Sequence, residues 1–191
     1  LITGLLVPSR GNVFFDGINI HNNLEQFRSH IGYVPQDTML LNESIESNIT
    51  FCRNAVSEHA LEEVLHICEV DVIMKTNSMS IDTVIGEKGN KLSGGQKQKI
   101  ALSRALYRKP KLLIIDEGTS NIDSDTEERI LKRVKSVYPD MTIIIVSHRL
   151  STVRKADRII VLDKSQVAEN GEYAQLLDNG TVFRKIFANQ I

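Results

Sequence analysis

The sequence predicts an α/β fold: a largely parallel sheet, helices between its strands, and a helical insertion that divides the chain into two lobes. Three observations carry this. Continuous apolar runs recur at Leu112–Asp116, Thr142–Val146 and Ile159–Leu162, each short enough for a buried strand. Helix-patterned residues separate the first two runs. The stretch between Pro35 and Leu112 reads mostly as helix, so the lobes are expected as 1–36 with 110–191, and 37–109.

The elements follow in order. Leu1–Leu6 read as the tail of a helix running into a turn at Pro8–Gly11. Val13–Phe15 and Ile18–Ile20 flank Asp16-Gly17, a dipeptide suited to a tight hairpin. Ile31–Pro35 is a short strand stopped by proline. Ser57 can cap a helix to about Cys68, with Leu61, Val64, Leu65 and Cys68 on one face. A second long helix opens near Ser93 and ends before Pro110. Ile100, Ala101 and Ala105 point inward there, and Lys97, Lys99, Arg104 and Arg108 are left for solvent. After the strand Leu112–Asp116, Asp123 or Ser124 starts a helix. Ser124 and Glu127 have capping-box spacing, and Ile130, Val134 and Val137 share a face. Thr142–Val146 and Ile159–Leu162 are expected as buried strands. Gln166–Glu169 closes a hairpin, and two short helices end the chain.

Composition narrows the function classes. A chain of 191 residues, 41% hydrophobic, can bury one sizeable core. A net charge of −1 offers no basic surface for nucleic acid. The longest apolar runs are too short to span a bilayer, so membrane association is expected through another segment or subunit. Cys52 and Cys68 belong to no pairing motif, and Cys68 is expected as a small core residue. No signal peptide is apparent. The chain opens at Leu1 inside an apolar stretch and reads as a fragment.

Two motifs carry the chemistry. Leu92-Ser93-Gly94-Gly95-Gln96 precedes a helix. Its glycines let backbone approach a ligand closely, and free N–H groups at a helix start favour an anion. Asp116 and Glu117 end an apolar strand, the place where open α/β sheets bind ligands. Asp116 suits Mg²⁺ held through water, and Glu117 could polarise a water.

In this order and spacing, the motifs resemble the signature and Walker B strand of the ABC (ATP-binding cassette) ATPases, which share the RecA-like P-loop NTPase fold. Lys97–Leu106 continues the likeness. The resemblance implies further roles. Gln36 falls at the Q-loop position, reaching Mg²⁺ and the attacking water. His148 matches the switch histidine on the γ-phosphate, whereas His21, His30, His59 and His66 match no motif and are expected at the surface or on helix faces. Ser120–Asp123 stands at the D-loop, where the family usually has Ser-Ala-Leu-Asp, so Asp123 is implied in dimer contact. Ser93, Gly94, Gly95 and Gln96 would bind a nucleotide held by a second cassette. Gly118 replaces the usual Ala and is expected to soften the loop. Thr83–Gly89, Ser44–Ile49, Val167–Gly171 and Gln175–Leu177 resemble exporter-type segments, with Glu87 placed near a membrane domain.

Two family elements have no counterpart: no G-x-x-x-x-G-K-[ST] loop and no adenine-stacking aromatic is present. The expectation is a sequence cut just after Walker A, with its first strands and P-loop missing. Such a fragment would be marginally stable, inactive and unable to hold its own ATP. The implied function is ATP hydrolysis by an exporter cassette at the cytoplasmic face of a membrane. ATP and Mg²⁺ would be its cofactors, and a second cassette and a transmembrane domain its partners. Cargo choice is expected to belong to that membrane domain. Two alternatives are a soluble ABC-type ATPase acting on nucleic acid or ribosomes, and a non-catalytic dimer-contact fragment.

Overall fold

The computed structural model describes residues 1–51 and 56–190, which leaves Cys52 outside the described residues. The chain forms two units, Leu1–Ile145 and Val146–Ile191, each with its own apolar core.

In the first unit the hairpin forms where the sequence places it. Asp16 and Gly17 both take positive φ (49° and 77°), as a two-residue I′ turn requires. They join Phe14–Phe15 (β1) to Ile18–Asn19 (β2). A short helix, Leu24–Ser29 (α1), is capped by the Asn23 side chain and leads into Ile31–Val34 (β3). Pro35 ends that strand because its ring removes the next amide donor. Leu1–Leu6, by contrast, is not a helix tail. Gly4 sits at φ 69° and its amide closes a turn on the Leu1 carbonyl at 2.9 Å. So short a segment, with glycine in its middle, gains too few hydrogen bonds to offset helix nucleation.

Among the described residues four α-helices follow: Ile45–Thr50 (α2), Glu58–Ile67 (α3), Val70–Thr76 (α4) and Gly94–Tyr107 (α5). Ser57 caps α3 as expected, and Leu61, Val64, Leu65 and Cys68 are buried. Ile100, Ala101 and Ala105 face the core from α5. Two of the basic residues assigned to solvent are instead occupied. Lys99 lies 3.1 Å from the Glu69 carboxylate. Arg104 donates to the carbonyls of Asn48 and Met39 at 2.6 and 2.9 Å. Its long side chain reaches backbone acceptors in the last turn of α2 and in the loop before it, where carbonyls are open to side-chain donors.

Leu112–Asp116 (β4) is the middle strand of three. It runs parallel to β3, with Val34 opposite Ile115, and its other neighbour is Thr142–Val146 (β5). Covered on both faces, Leu113 and Ile115 are 0% exposed. Gly32 lets α5 rest directly on β3: a Cβ there would stand 2.8 Å from the Ala105 carbonyl oxygen. The expectation of a buried β5 fails. Its ends are exposed and its centre only half-buried, since β5 has one strand neighbour among the described residues. Ser124–Val137 (α6) is capped by Asp123, whose carboxylate accepts from the Thr126 amide at 2.9 Å. The Ser124–Glu127 capping box is not formed, because Glu127 is buried and takes the Thr119 hydroxyl. Ile130 and Val134 are buried, but Val137, in the last turn, is 42% exposed.

The second unit contains Leu150–Val153 (α7), Ile159–Asp163 (β6), Gln166–Gly171 (β7), Tyr173–Asn179 (α8) and Thr181–Ile186 (α9). β6 is neither parallel nor continuously buried. It pairs antiparallel with β7, Ile159 and Val161 facing the core while Ile160 and Leu162 face out. One face of the hairpin packs with Leu176, Phe183 and Phe187. Glu169 of β7 caps α9 by accepting from the amides of Thr181, Val182 and Phe183 at 2.6–2.9 Å.

These amides, that of Val182 foremost, hold the Glu169 carboxyl below its ordinary value of 4.5. The unfolded chain then binds the proton more readily than the folded one. The cap's contribution is therefore complete above pH 4.5 and fades as pH falls through the lower folded value. Acid melts of the chain are expected to show this loss, and Glu169→Gln is expected to flatten that part of the profile. No described helix is long and apolar enough to cross a membrane.

Candidate functional site

The parallel register of β3 and β4 brings two loop starts to one sheet end. Gln36 and Glu117 meet there, the Gln36 amide donating to Glu117 Oε2 at 3.1 Å. Beside them the Tyr33 hydroxyl donates to Asp116 Oδ2 at 3.2 Å. Burial first, then the Asp116 charge, raises the Tyr33 phenol above its ordinary 10, so it stays a donor. No sequence motif marks Tyr33; the parallel pairing of β3 with β4 brings it beside Asp116. Asp116 and Glu117 are both partly exposed and can meet a ligand. Glu117 adopts φ 49°, a left-handed conformation rare for a non-glycine residue and frequent where function demands it.

Packing gives Gly118 a steric reason as well. It is buried, and a Cβ there would stand 2.5 Å from Val34 Cγ1 and 3.0 Å from the Val34 carbonyl oxygen. Gly118→Ala should therefore destabilise the chain by about 1–3 kcal/mol through overpacking. Adding Val34→Ala should return part of that, so the double variant costs less than the two singles summed. Denaturant melts of the four proteins measure this.

The second group of site residues opens α5. Ser93 is its N-cap, accepting from the Gln96 amide at 3.3 Å while the Gln96 side chain accepts from the Ser93 amide at 3.0 Å. The capping box fixes the turn and leaves the Ser93 hydroxyl proton to donate elsewhere. Gly94 is exposed at the first helical position. A Cβ on Gly95 would lie 2.7 Å from the Asn121 carbonyl oxygen, so only glycine lets α5 sit this close to the 120–123 loop.

Gln98, also missed from sequence, stitches that contact. It is 2% exposed, accepts from the Asn121 amide at 2.8 Å and donates to Ser120 Oγ at 3.2 Å. The Ser120 amide in turn reaches the Glu117 carbonyl at 3.0 Å. Asp123 is exposed and serves as the α6 cap; the Thr126 amide holds its carboxyl below the ordinary 3.8.

The exporter-like segments 44–49 and 83–89 pair with one another. Ser44 and Val84 form an antiparallel bridge, and the Ile45 amide donates to the Thr83 carbonyl at 3.2 Å. Glu87 is exposed in a 3-10 turn after Gly86. His148 belongs to the second unit, exposed, with its carbonyl accepting from the Gln190 side chain at 3.0 Å. His59 and His66 are exposed on α3, and His21 and His30 are half-buried. Among the described residues no group of three or more His, Cys, Asp or Glu could hold a metal by itself.

Residues 1–120 match the sequence profile of the ABC transporter family. Curated relatives include the mitochondrial iron-sulfur clusters transporter of Danio rerio, 39% identical over 96% of this chain and 25% of its own length. The exotoxin translocation ATP-binding protein PaxB of Pasteurella aerogenes is 39% identical over 94% of this chain and 25% of its own. Among solved structures, a bacterial Atm1-family ABC exporter with ATP bound aligns at TM-score 0.92. Its identity is 33%, covering 99% of this chain and 33% of that one. The chain thus spans less than a third of the length of the curated relatives it matches. The profile match covers more than half of the chain and takes in the Leu92–Gln96 motif and the Asp116-Glu117 strand end, and on it the chain belongs to the ABC transporter family.

Proposed function

We propose that this chain is the ATP-binding and ATP-hydrolysing part of an exporter-type ABC transporter, working at the cytoplasmic face of a membrane. The observation that carries the reading is the pairing of Gln36 with Glu117 at 3.1 Å, beside Asp116, at the end of two parallel strands. In this reading residues 1–36 and 110–191 form the RecA-like lobe and 37–109 the helical subdomain. Glu117 orients and deprotonates the attacking water, Gln36 holds the Glu117 carboxylate in place, and His148 donates to the γ-phosphate.

Mg²⁺ fits the residues present. It favours oxygen ligands and is commonly held by one or two carboxylates together with substrate phosphates. Asp116 and the Gln36 side-chain oxygen would hold it, and when bound it supplies charge neutralisation on the phosphates. Ser93, Gly94, Gly95 and Gln96 face a nucleotide carried by a second cassette, with Asp123 at the contact. Ser44–Ile49 and Thr83–Gly89, with Glu87, form the edge that meets a transmembrane domain.

The test is ATP turnover by the full-length protein in lipid vesicles. Turnover is expected, and chelation of Mg²⁺ should abolish it. Turnover that needs nucleic acid or ribosomes and ignores the membrane would instead support a soluble ABC-type ATPase.

A further inference from the structure

Glu69 stands at the junction of α3 and α4, where the chain takes φ 56°. Glycine or asparagine usually fills such a left-handed position after a helix, because a larger side chain is strained there. Glu69 is also only 8% exposed. A strained, buried glutamate calls for a reason, and its carboxylate supplies one. Lys99 Nζ of α5 lies 3.1 Å from Oε2, Arg129 Nε of α6 lies 3.1 Å from Oε1, and Arg133 Nη1 of α6 lies 3.4 Å from Oε1. The cations are fixed in turn. Arg129 donates to Thr126 Oγ1 at 2.8 Å and Arg133 to the His66 carbonyl at 3.1 Å. One carboxylate therefore joins the end of α3 to the helix that begins at Ser93 and the helix that begins after Asp123.

We propose that Glu69 is a positioning residue for the half of the nucleotide site that this chain offers to a second cassette. By clamping α5 to α6 it keeps Ser93–Gln96 and Ser120–Asp123 in one fixed arrangement. The inference rests on the shared-site reading above. The Gln98 and Gly95 contacts join the two segments at their tips, and the Glu69 clamp joins their helices further along. Either joint alone would leave a pivot; together they fix the angle between the helices. Burial pushes the Glu69 carboxyl up, but the hydrogen bonds and charges of Arg129 and Lys99 outweigh it and hold the group below the ordinary 4.5. The carboxylate is thus charged at neutral pH. It also tolerates burial only while its cations are in place.

The test uses the full-length protein carrying Glu69→Gln, Lys99→Gln, Arg129→Gln and the Lys99→Gln/Arg129→Gln pair. ATP-dependent cassette dimerisation and nucleotide affinity of the undimerised protein are both measured. Lys99→Gln and Arg129→Gln each leave Glu69 with other cations, so they keep the test open if Glu69→Gln does not fold. The expected result is dimerisation weakened by about tenfold or more, as for a displaced site, with nucleotide affinity unchanged. The double variant, which leaves the buried carboxylate only Arg133, should be worse than either single, because two of its three cations are gone. Wild-type dimerisation in Lys99→Gln and Arg129→Gln would overturn the proposal, as would equal losses of nucleotide affinity and dimerisation. Ser93→Ala is the control for the underlying reading: if it leaves dimerisation intact, the shared site itself fails, whatever Glu69 does.

Discussion

Glu117→Gln in the full-length protein is expected to cut ATP turnover by about 10²–10⁴-fold, the usual contribution of a positioned general base, while ATP stays bound. The substitution preserves shape. A glutamine carbonyl can still accept from the Gln36 amide that now lies 3.1 Å from Oε2, so the loop keeps its anchor. What is lost is the negative charge that takes the proton from water. Dimers loaded with ATP should accumulate, and their retained nucleotide can be counted after rapid gel filtration. The left-handed backbone at Glu117 makes the same point from another side. The left-handed turn directs the carboxylate toward Gln36.

The second large effect separates stability from function. Gly94→Asp puts a carboxylate at the first position of a 14-residue helix, where the helix dipole favours it by about 0.3–1 kcal/mol. Gly94 is exposed, and the three atoms nearest a Cβ there all belong to the Asn121 side chain, the closest at 3.2 Å. The variant should fold as well as the parent. The same carboxylate would point at the phosphates of a nucleotide held by the other cassette. Like charges set against each other at an interface cost several kcal/mol, so ATP-dependent dimerisation should fall by about 100-fold or more. A melting curve alongside a dimerisation titration distinguishes this outcome from misfolding.

Much of this was legible in the sequence because it is local. Asp16-Gly17 dictates its turn, Ser57 and Ser93 cap their helices, and a run of five residues ending in Asp116 becomes the buried middle strand. The failures share a cause. An apolar run shows that a strand wants cover but not how much it receives. Thr142–Val146 was therefore expected buried yet lies beside a single described strand, and Ile159–Leu162 joined a hairpin instead of the parallel sheet. Helical periodicity places the charges of Lys99 and Arg104 outward. Periodicity cannot see an acceptor on another helix. Glu69 lies between α3 and α4, Lys99 on α5 and Arg129 on α6, and no window of sequence brings them together. Gln98 and Tyr33 escaped for the same reason: their partners, Asn121 and Asp116, come close only once the chain has folded.

The most direct test of the central claim, that each nucleotide site is built from two cassettes, is complementation between two inactive variants. Two differently tagged copies of the full-length protein, one carrying Glu117→Gln and the other Gly94→Asp, are co-purified as mixed pairs, and ADP formation is followed in a single turnover. In a mixed pair, the intact Glu117 of the Gly94→Asp copy faces the intact Ser93–Gln96 segment of the other. One complete site is therefore expected, with ADP formed although neither variant forms it alone. Mixed pairs as inactive as either variant by itself would contradict a site shared between two chains.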